Sequence, residues 1–203
     1  MYWHKTPIII QWLYPTLIWH KSRKEKVIYL TFDDGPIPEI TPKVLEILNQ
    51  FNAQATFFCV GDNVRKHPDV FAQVLAENHQ VGNHTFDHIN GWKTSKSEYL
   101  NSVEQCKALM PQASFFRPAY GKMKRNVISK IKEHYQIIMW DVLAGDFDPK
   151  LSKEECLSNT IQATKNGSIV IFHDSLKAKE NLLYALPRYL EHFCKLGYTF
   201  AKL

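Results

Sequence analysis

Two short stretches carry the residues best suited to chemistry. Thr31-Phe32-Asp33-Asp34-Gly35-Pro36 closes an apolar run, and His84-Thr85-Phe86-Asp87-His88 sets two imidazoles four residues apart. Two histidines and one carboxylate leave positions open on a divalent metal, and open positions separate a catalytic site from a closed structural one. The second aspartate is then free to accept a proton from an activated water. Taken singly, each stretch has a plainer reading. Asp-Asp-Gly-Pro is ordinary turn chemistry after a strand, and histidines at i and i+4 share a face only in a helix or tight turn. Their joint position after predicted strands, with three similar polar clusters downstream, favours the chemical reading.

The elements that must position these residues alternate along the chain. Strands are expected at Val27 to Phe32, Gln54 to Val60, Gln80 to Gly82, Ser114 to Phe116, Gln136 to Val142, Ile169 to Phe172 and Tyr198 to Lys202. Between them, Val44, Leu45 and Leu48 recur at helical spacing within Ile40 to Phe51, behind a Thr41-Pro42 start. Further helices are expected at Pro68 to Asn78, Arg125 to Glu133 and Glu180 to Phe193, and capping boxes at Ser95/Glu98 and Ser152/Glu155 open two more. Apolar strands alternating with amphipathic helices imply an α/β fold with a mainly parallel sheet. Asp33/Asp34, His84/His88, Arg117 to Gly121, Asp141 to Phe147 and His173/Asp174 all follow expected strand ends, the geometry of a β/α barrel whose active face gathers them.

With 203 residues, 45% of them hydrophobic, the chain can bury a full core and reads as one domain, residues 1–203, with 1–25 a short extension packing on the barrel. A net charge of +5 admits an anionic partner, but the basic residues are scattered apart from Lys21 to Lys26. No basic helix with interleaved aromatics points to nucleic acid. Cys59, Cys106, Cys156 and Cys194 lack the spacing of a zinc or redox motif and read as free thiols. Ile8-Ile9-Ile10 and Trp12-Leu13-Tyr14 are interrupted by Gln11 and Pro15. The segment is expected to be neither a transmembrane helix nor a signal peptide, which makes the cytoplasm the default compartment.

Over residues 27–203 the five clusters resemble, in order and spacing, the five motifs of the polysaccharide deacetylases, the NodB homology domain or carbohydrate esterase family 4. The resemblance implies a distorted, TIM-barrel-like (β/α) barrel of about seven parallel strands and metal-dependent N-deacetylation of N-acetylglucosamine polymers or oligomers such as peptidoglycan or chitin fragments. A cell-wall substrate would in turn imply export. Carried over by motif, Asp33 becomes the general base, and Asp34, His84 and His88 become the metal ligands. Zinc suits that set best, with cobalt, nickel, manganese or iron as alternatives. Tyr120 supplies a backbone N–H to the oxyanion, and His173 is the general acid. Arg117 pairs with the catalytic aspartate, and Asp146 contacts the acid histidine.

Phe147 stands where many members carry tryptophan, Ala119 where a second proline is frequent, and Phe172 where leucine is usual. Phe147 and Ile171 are expected to form an apolar wall for an acetyl methyl, with Pro118 also facing substrate. Two other readings compete: a hydrolase of other C–N amides or of acetyl esters, and a non-catalytic carbohydrate-binding module that kept the fold. Outside the motifs, Asp87 and Asp174 are open between helix capping and orienting a histidine. Trp140 is expected in the core, and Asp141 turned toward the pocket. His4, His20, His67, His79, His134 and His192 are expected to be surface or structural residues.

Overall fold

A computed structural model describes residues 3–203. Its strands are β1 Val27–Asp33, β2 Ala55–Cys59, β3 Gln80–Asn83, β4 Phe115–Phe116, β5 Gln136–Ile137, β6 Val142–Leu143 and β7 Ile169–His173, with β8 Thr199–Phe200 alongside the start of β1. The first seven lie in the order β5-β4-β3-β2-β1-β7-β6, all paired in parallel, and curl into a half-barrel. Parallel neighbours need crossovers. These are α2 Thr41–Gln50, α3 Gly61–Lys66, α4 Pro68–Ala76, α5 Lys96–Leu109, α6 Arg125–Lys132, α7 Lys153–Ala163 and α8 Lys179–Lys195, preceded by α1 Ile8–Leu13.

Strand alternation sorts β1 into two faces. Ile28, Leu30 and Phe32 are fully buried in the main apolar cluster with Leu45 of α2 and Leu186 and Tyr189 of α8. Phe32 stacks between Phe57 and Phe172, with ring centroids 5.0 and 6.3 Å away. Thr31 and Asp33 point the other way, to a buried arginine inside the curl. The close-packed layer therefore holds β1 rigid where the chemistry-bearing residues begin.

The segment expected as a single strand, Gln136 to Val142, is instead two. β5 and β6 occupy opposite edges of the sheet, so residues 138–141 cross the gap between them. The backbone there is taken by other partners: Ile18 donates to the Ile137 carbonyl at 3.0 Å, Met139 donates to that of Ile18 at 2.7 Å, and a guanidinium takes the Ile138 and Met139 carbonyls. The N-terminal segment thus acts as an irregular stave, held further by bridges Lys5–Val142 and His20–Ser168.

Asp141 is correspondingly not turned toward the strand-end mouth. It is buried at the start of β7, where it accepts from the Ile169 N–H, Ser168, Lys5 and Arg23, the last at 2.6 Å. Lys5 and Arg23 come from the stave, so this carboxylate fastens the N-terminal segment to the sheet. Trp140 is half-buried, not a core residue, and borders a surface cleft.

Candidate active site

Asp33 is the last residue of β1 and is 4% exposed. Its Oδ1 accepts from Arg117 Nη1 at 2.6 Å, and its Oδ2 lies 3.8 Å from His84 Nε2. Arg117 follows β4 and is fully buried, so its ion pair with Asp33 lies inside the barrel and not on the surface. Its guanidinium also donates to Thr31, the Ile138 carbonyl and the Met139 carbonyl, and lies 4.0 Å over the Phe58 ring. Burial lowers its pKa and the Asp33 charge counters that, leaving a cation with one carboxylate to serve.

Asp34 begins the following loop at φ 85°, a left-handed backbone. Its Oδ1 is 3.1 Å from His88 Nε2 and 3.8 Å from His84 Nε2, yet makes no hydrogen bond of proper geometry although buried. One donor atom each from Asp34, His84 and His88 lies within 4.8 Å of the others. An orphaned carboxylate oxygen beside two imidazoles fits a shared divalent cation. Burial works against the Asp34 charge, but His88, His173 and His84 outweigh it and hold the carboxyl well below the usual range. Burial also lowers the His84 pKa, favouring the neutral ring a metal requires. The Nδ1–H of His84 donates to the Arg117 carbonyl at 2.8 Å, which leaves its Nε2 lone pair for the site.

Unusual backbone gathers here. Besides Asp34, Thr85, His88 and Tyr120 have φ of 67°, 53° and 59°, each costing on the order of 1 kcal/mol or more. Asn83, which the sequence reading did not single out, secures one of them. Its Oδ1 accepts from Thr85 N–H at 2.9 Å while its amide donates to the Val103 carbonyl and Tyr135. Its place directly before the histidines, at the end of a short strand, was the available signal.

Asp174 settles as a positioning residue. Its buried carboxylate accepts from Gly35 N–H at 3.0 Å and from the Thr41 hydroxyl at 2.6 Å, tying the aspartate loop to β7 and α2. A Cβ on Gly35 would overlap that carboxylate, so only glycine fits. Burial pushes the Asp174 carboxyl up to about 8 against those two hydrogen bonds. Asp87, exposed, accepts from Ser102 of α5 at 2.5 Å and so anchors the histidine segment.

His173 ends β7 in register beside Asp33. Asp146, 1% exposed, grips it twice, through Nδ1 at 2.8 Å and through the backbone N–H at 2.7 Å. Burial disfavours the imidazolium, but Asp146, helped by Asp34 and Asp33, raises the pKa to about 9. Phe147 meets the His173 ring edge-on at 5.0 Å and is half-buried. Ile171 is 1% exposed and Pro118 is buried, so of the three expected wall residues Phe147 presents the open surface. Tyr120 is 59% exposed, its ring 4.5 Å from that of His88. His79 is buried and structural, its Nδ1 accepting from Ala55 N–H, with burial lowering its pKa to about 4. Cys59, Cys106, Cys156 and Cys194 are free thiols.

What this mouth can do to a water molecule defines the class, a hydrolase of the barrel type with a place for a metal. Residues 20–136 match the polysaccharide deacetylase family, and the chain belongs to that family. A peptidoglycan-N-acetylglucosamine deacetylase of Bacillus cereus is 34% identical over 191 residues, 90% of this chain and 88% of that one. A chitooligosaccharide deacetylase of Azorhizobium caulinodans is 30% identical over 171 residues, 80% of each. Among solved structures, the Bc1960 peptidoglycan N-acetylglucosamine deacetylase, in complex with a naphthalenyl N-hydroxybenzamide, superposes with a TM-score of 0.89 at 29% identity. That superposition spans 98% of this chain and 95% of the other.

Proposed function

We propose that this chain removes N-acetyl groups from N-acetylglucosamine-containing glycans of the peptidoglycan or chitin type, and that its metal is zinc. The observation that carries the reading is the placement of Asp33 and His173, side by side in register, above the Asp34–His84–His88 donor set. A divalent ion held by those three residues would supply Lewis acidity, lowering the pKa of water toward about 7.

The chain's own groups perform the rest. Asp33, paired with and aimed by Arg117, takes a proton from the attacking water through Oδ2. The backbone N–H of Tyr120 donates to the oxyanion of the tetrahedral intermediate. His173 gives its Nε2 proton to the departing amine nitrogen, while Asp146, accepting from Nδ1–H, orients the ring and sustains its charge. Phe147 flanks the acetyl methyl, with Ile171 and Pro118 closing the apolar ground beneath it. The stave contributed by the N-terminal segment supports treating residues 1–203 as one domain, with 1–25 an extension packed on the barrel.

Metal-stripped protein should release no acetate from N-acetyl chitooligosaccharides and regain release when zinc is added. His84→Ala should lose zinc affinity and turnover together, by about 100-fold or more, as read by calorimetry beside the acetate assay. Absence of release from protein that has rebound metal would redirect the reading to another acyl amide or ester.

The His173 pKa predicts a pH profile. Turnover needs the imidazolium, so it should fall as pH rises through about 9. In Asp146→Asn, the charge that sustains the imidazolium is gone and the amide N cannot accept from the His173 N–H. The alkaline limb should move down by about one unit or more. An unmoved limb would dissociate it from His173.

A further inference from the structure

Most surface helices here show water a polar face. The exposed positions of α7 are Lys153, Glu154, Glu155, Ser158 and Gln162. Helix α1 is inverted. Its exposed residues are Ile8, Ile9, Trp12 and Leu13, between 56% and 72% accessible, while Gln11 turns inward and bonds the Thr6 carbonyl. Trp3, just before it, is 58% exposed. Five large apolar side chains within eleven residues form one uncovered patch, which a solvated surface does not require.

The patch continues into a cleft of about 300 Å³ that Ile10 of α1 helps to line and that opens beside Trp92, 61% exposed, and Tyr120 of the catalytic mouth. Trp92 is pinned by its indole N–H to the Met123 carbonyl. Among the described residues no carboxylate lines the cleft. Its rim is cationic: Lys122 lies 5.1 Å over the Trp92 ring and Arg125 5.0 Å over the Tyr14 ring. The first 24 residues contain no acidic side chain, and Lys21 and Lys24 add positive charge beyond Lys5 and Arg23, which are paired with Asp141.

We propose that α1 and this rim dock the protein on an anionic lipid bilayer, with α1 lying in the interface. Indole rings and branched aliphatics on one short helix suit the boundary between headgroups and acyl chains, and the basic rim suits anionic headgroups. The helix is far too short to span, and none among the described residues is long and apolar enough to cross a membrane. Because Tyr120 borders both the cleft and the catalytic mouth, docking holds that mouth close to the lipid surface. The proposal stands independently of the substrate assignment.

The chain of residues 1–203 should cosediment with vesicles of equal parts phosphatidylcholine and phosphatidylglycerol and much less with pure phosphatidylcholine. Tryptophan fluorescence should shift to the blue on the mixed vesicles and be quenched by brominated acyl chains. Ile9→Ser/Trp12→Ser, at exposed sites, should melt like wild type and lose at least about tenfold in partitioning. Lys122→Glu/Arg125→Glu should erase the preference for phosphatidylglycerol while leaving weak binding. Wild-type protein that stays with the supernatant, or an Ile9→Ser/Trp12→Ser variant that partitions as wild type does, would overturn the proposal. So would a dimer in solution that this double variant dissolves, which would assign the patch to a second copy of the chain.

Discussion

The Asp33→Asn substitution should leave a folded protein that binds its divalent ion with unchanged affinity but turns over about 10²- to 10⁴-fold more slowly, the usual worth of a positioned general base. The carbonyl oxygen of the introduced amide can still accept from Arg117 Nη1, so the contact that holds β1 to β4 survives. What changes is the other atom. Oδ2, beside His84 Nε2, becomes an amide nitrogen with no lone pair for a proton. Acetate release under saturating metal, with metal affinity measured by titration calorimetry, separates the two functions of the aspartate pair. Wild-type turnover would remove Asp33 from the proton-transfer role. A joint loss of metal would instead make it a fourth ligand.

Arg117→Met should be the most damaging single substitution for stability, costing about 3–5 kcal/mol, because it strands a buried carboxylate without its counter-ion. Asp33 is 4% exposed, and the same change removes donors from Thr31, Ile138 and Met139. Urea unfolding of the metal-free protein reads this directly. Arg117→Lys provides the comparison: it restores charge beside Asp33, but a single ammonium cannot also reach both the Ile138 and Met139 carbonyls. It should recover part of the stability. If lysine and methionine destabilise equally, the fork of hydrogen bonds, not the charge, is what the site requires.

Much of this site is legible along the chain because its residues come in short runs at strand ends, where local signals coincide. Asp33-Asp34 and His173 close apolar strands, His84-x-x-x-His88 follows a short one, and the capping boxes at Ser95/Glu98 and Ser152/Glu155 form as their spacing predicts. What escapes is decided by partners far away in sequence. Asp141 reads like another strand-end carboxylate until Lys5 and Arg23, 136 and 118 residues earlier, are seen to hold it. Asp174 has no local role, since its meaning lies in Thr41, 133 residues before it. The break within Gln136 to Val142 is equally non-local: Ile137 to Trp140 is an unbroken apolar run, but Ile18 and Arg117 take the backbone groups that a ladder would have used. Helix α3, only six residues long, lacks the length for a periodic signal.

The stave that fills the gap between β5 and β6 has a consequence for synthesis. It leaves the ribosome well before the strands it joins and is placed late, because its partners Ile137, Met139 and Asp141 are translated more than a hundred residues after it. Until then Leu17 and Trp19, buried in the finished protein, travel with the nascent chain uncovered. Closing so long a loop carries a large entropic cost that local contacts cannot offset early. The stave therefore depends for long on whatever shields apolar segments during translation.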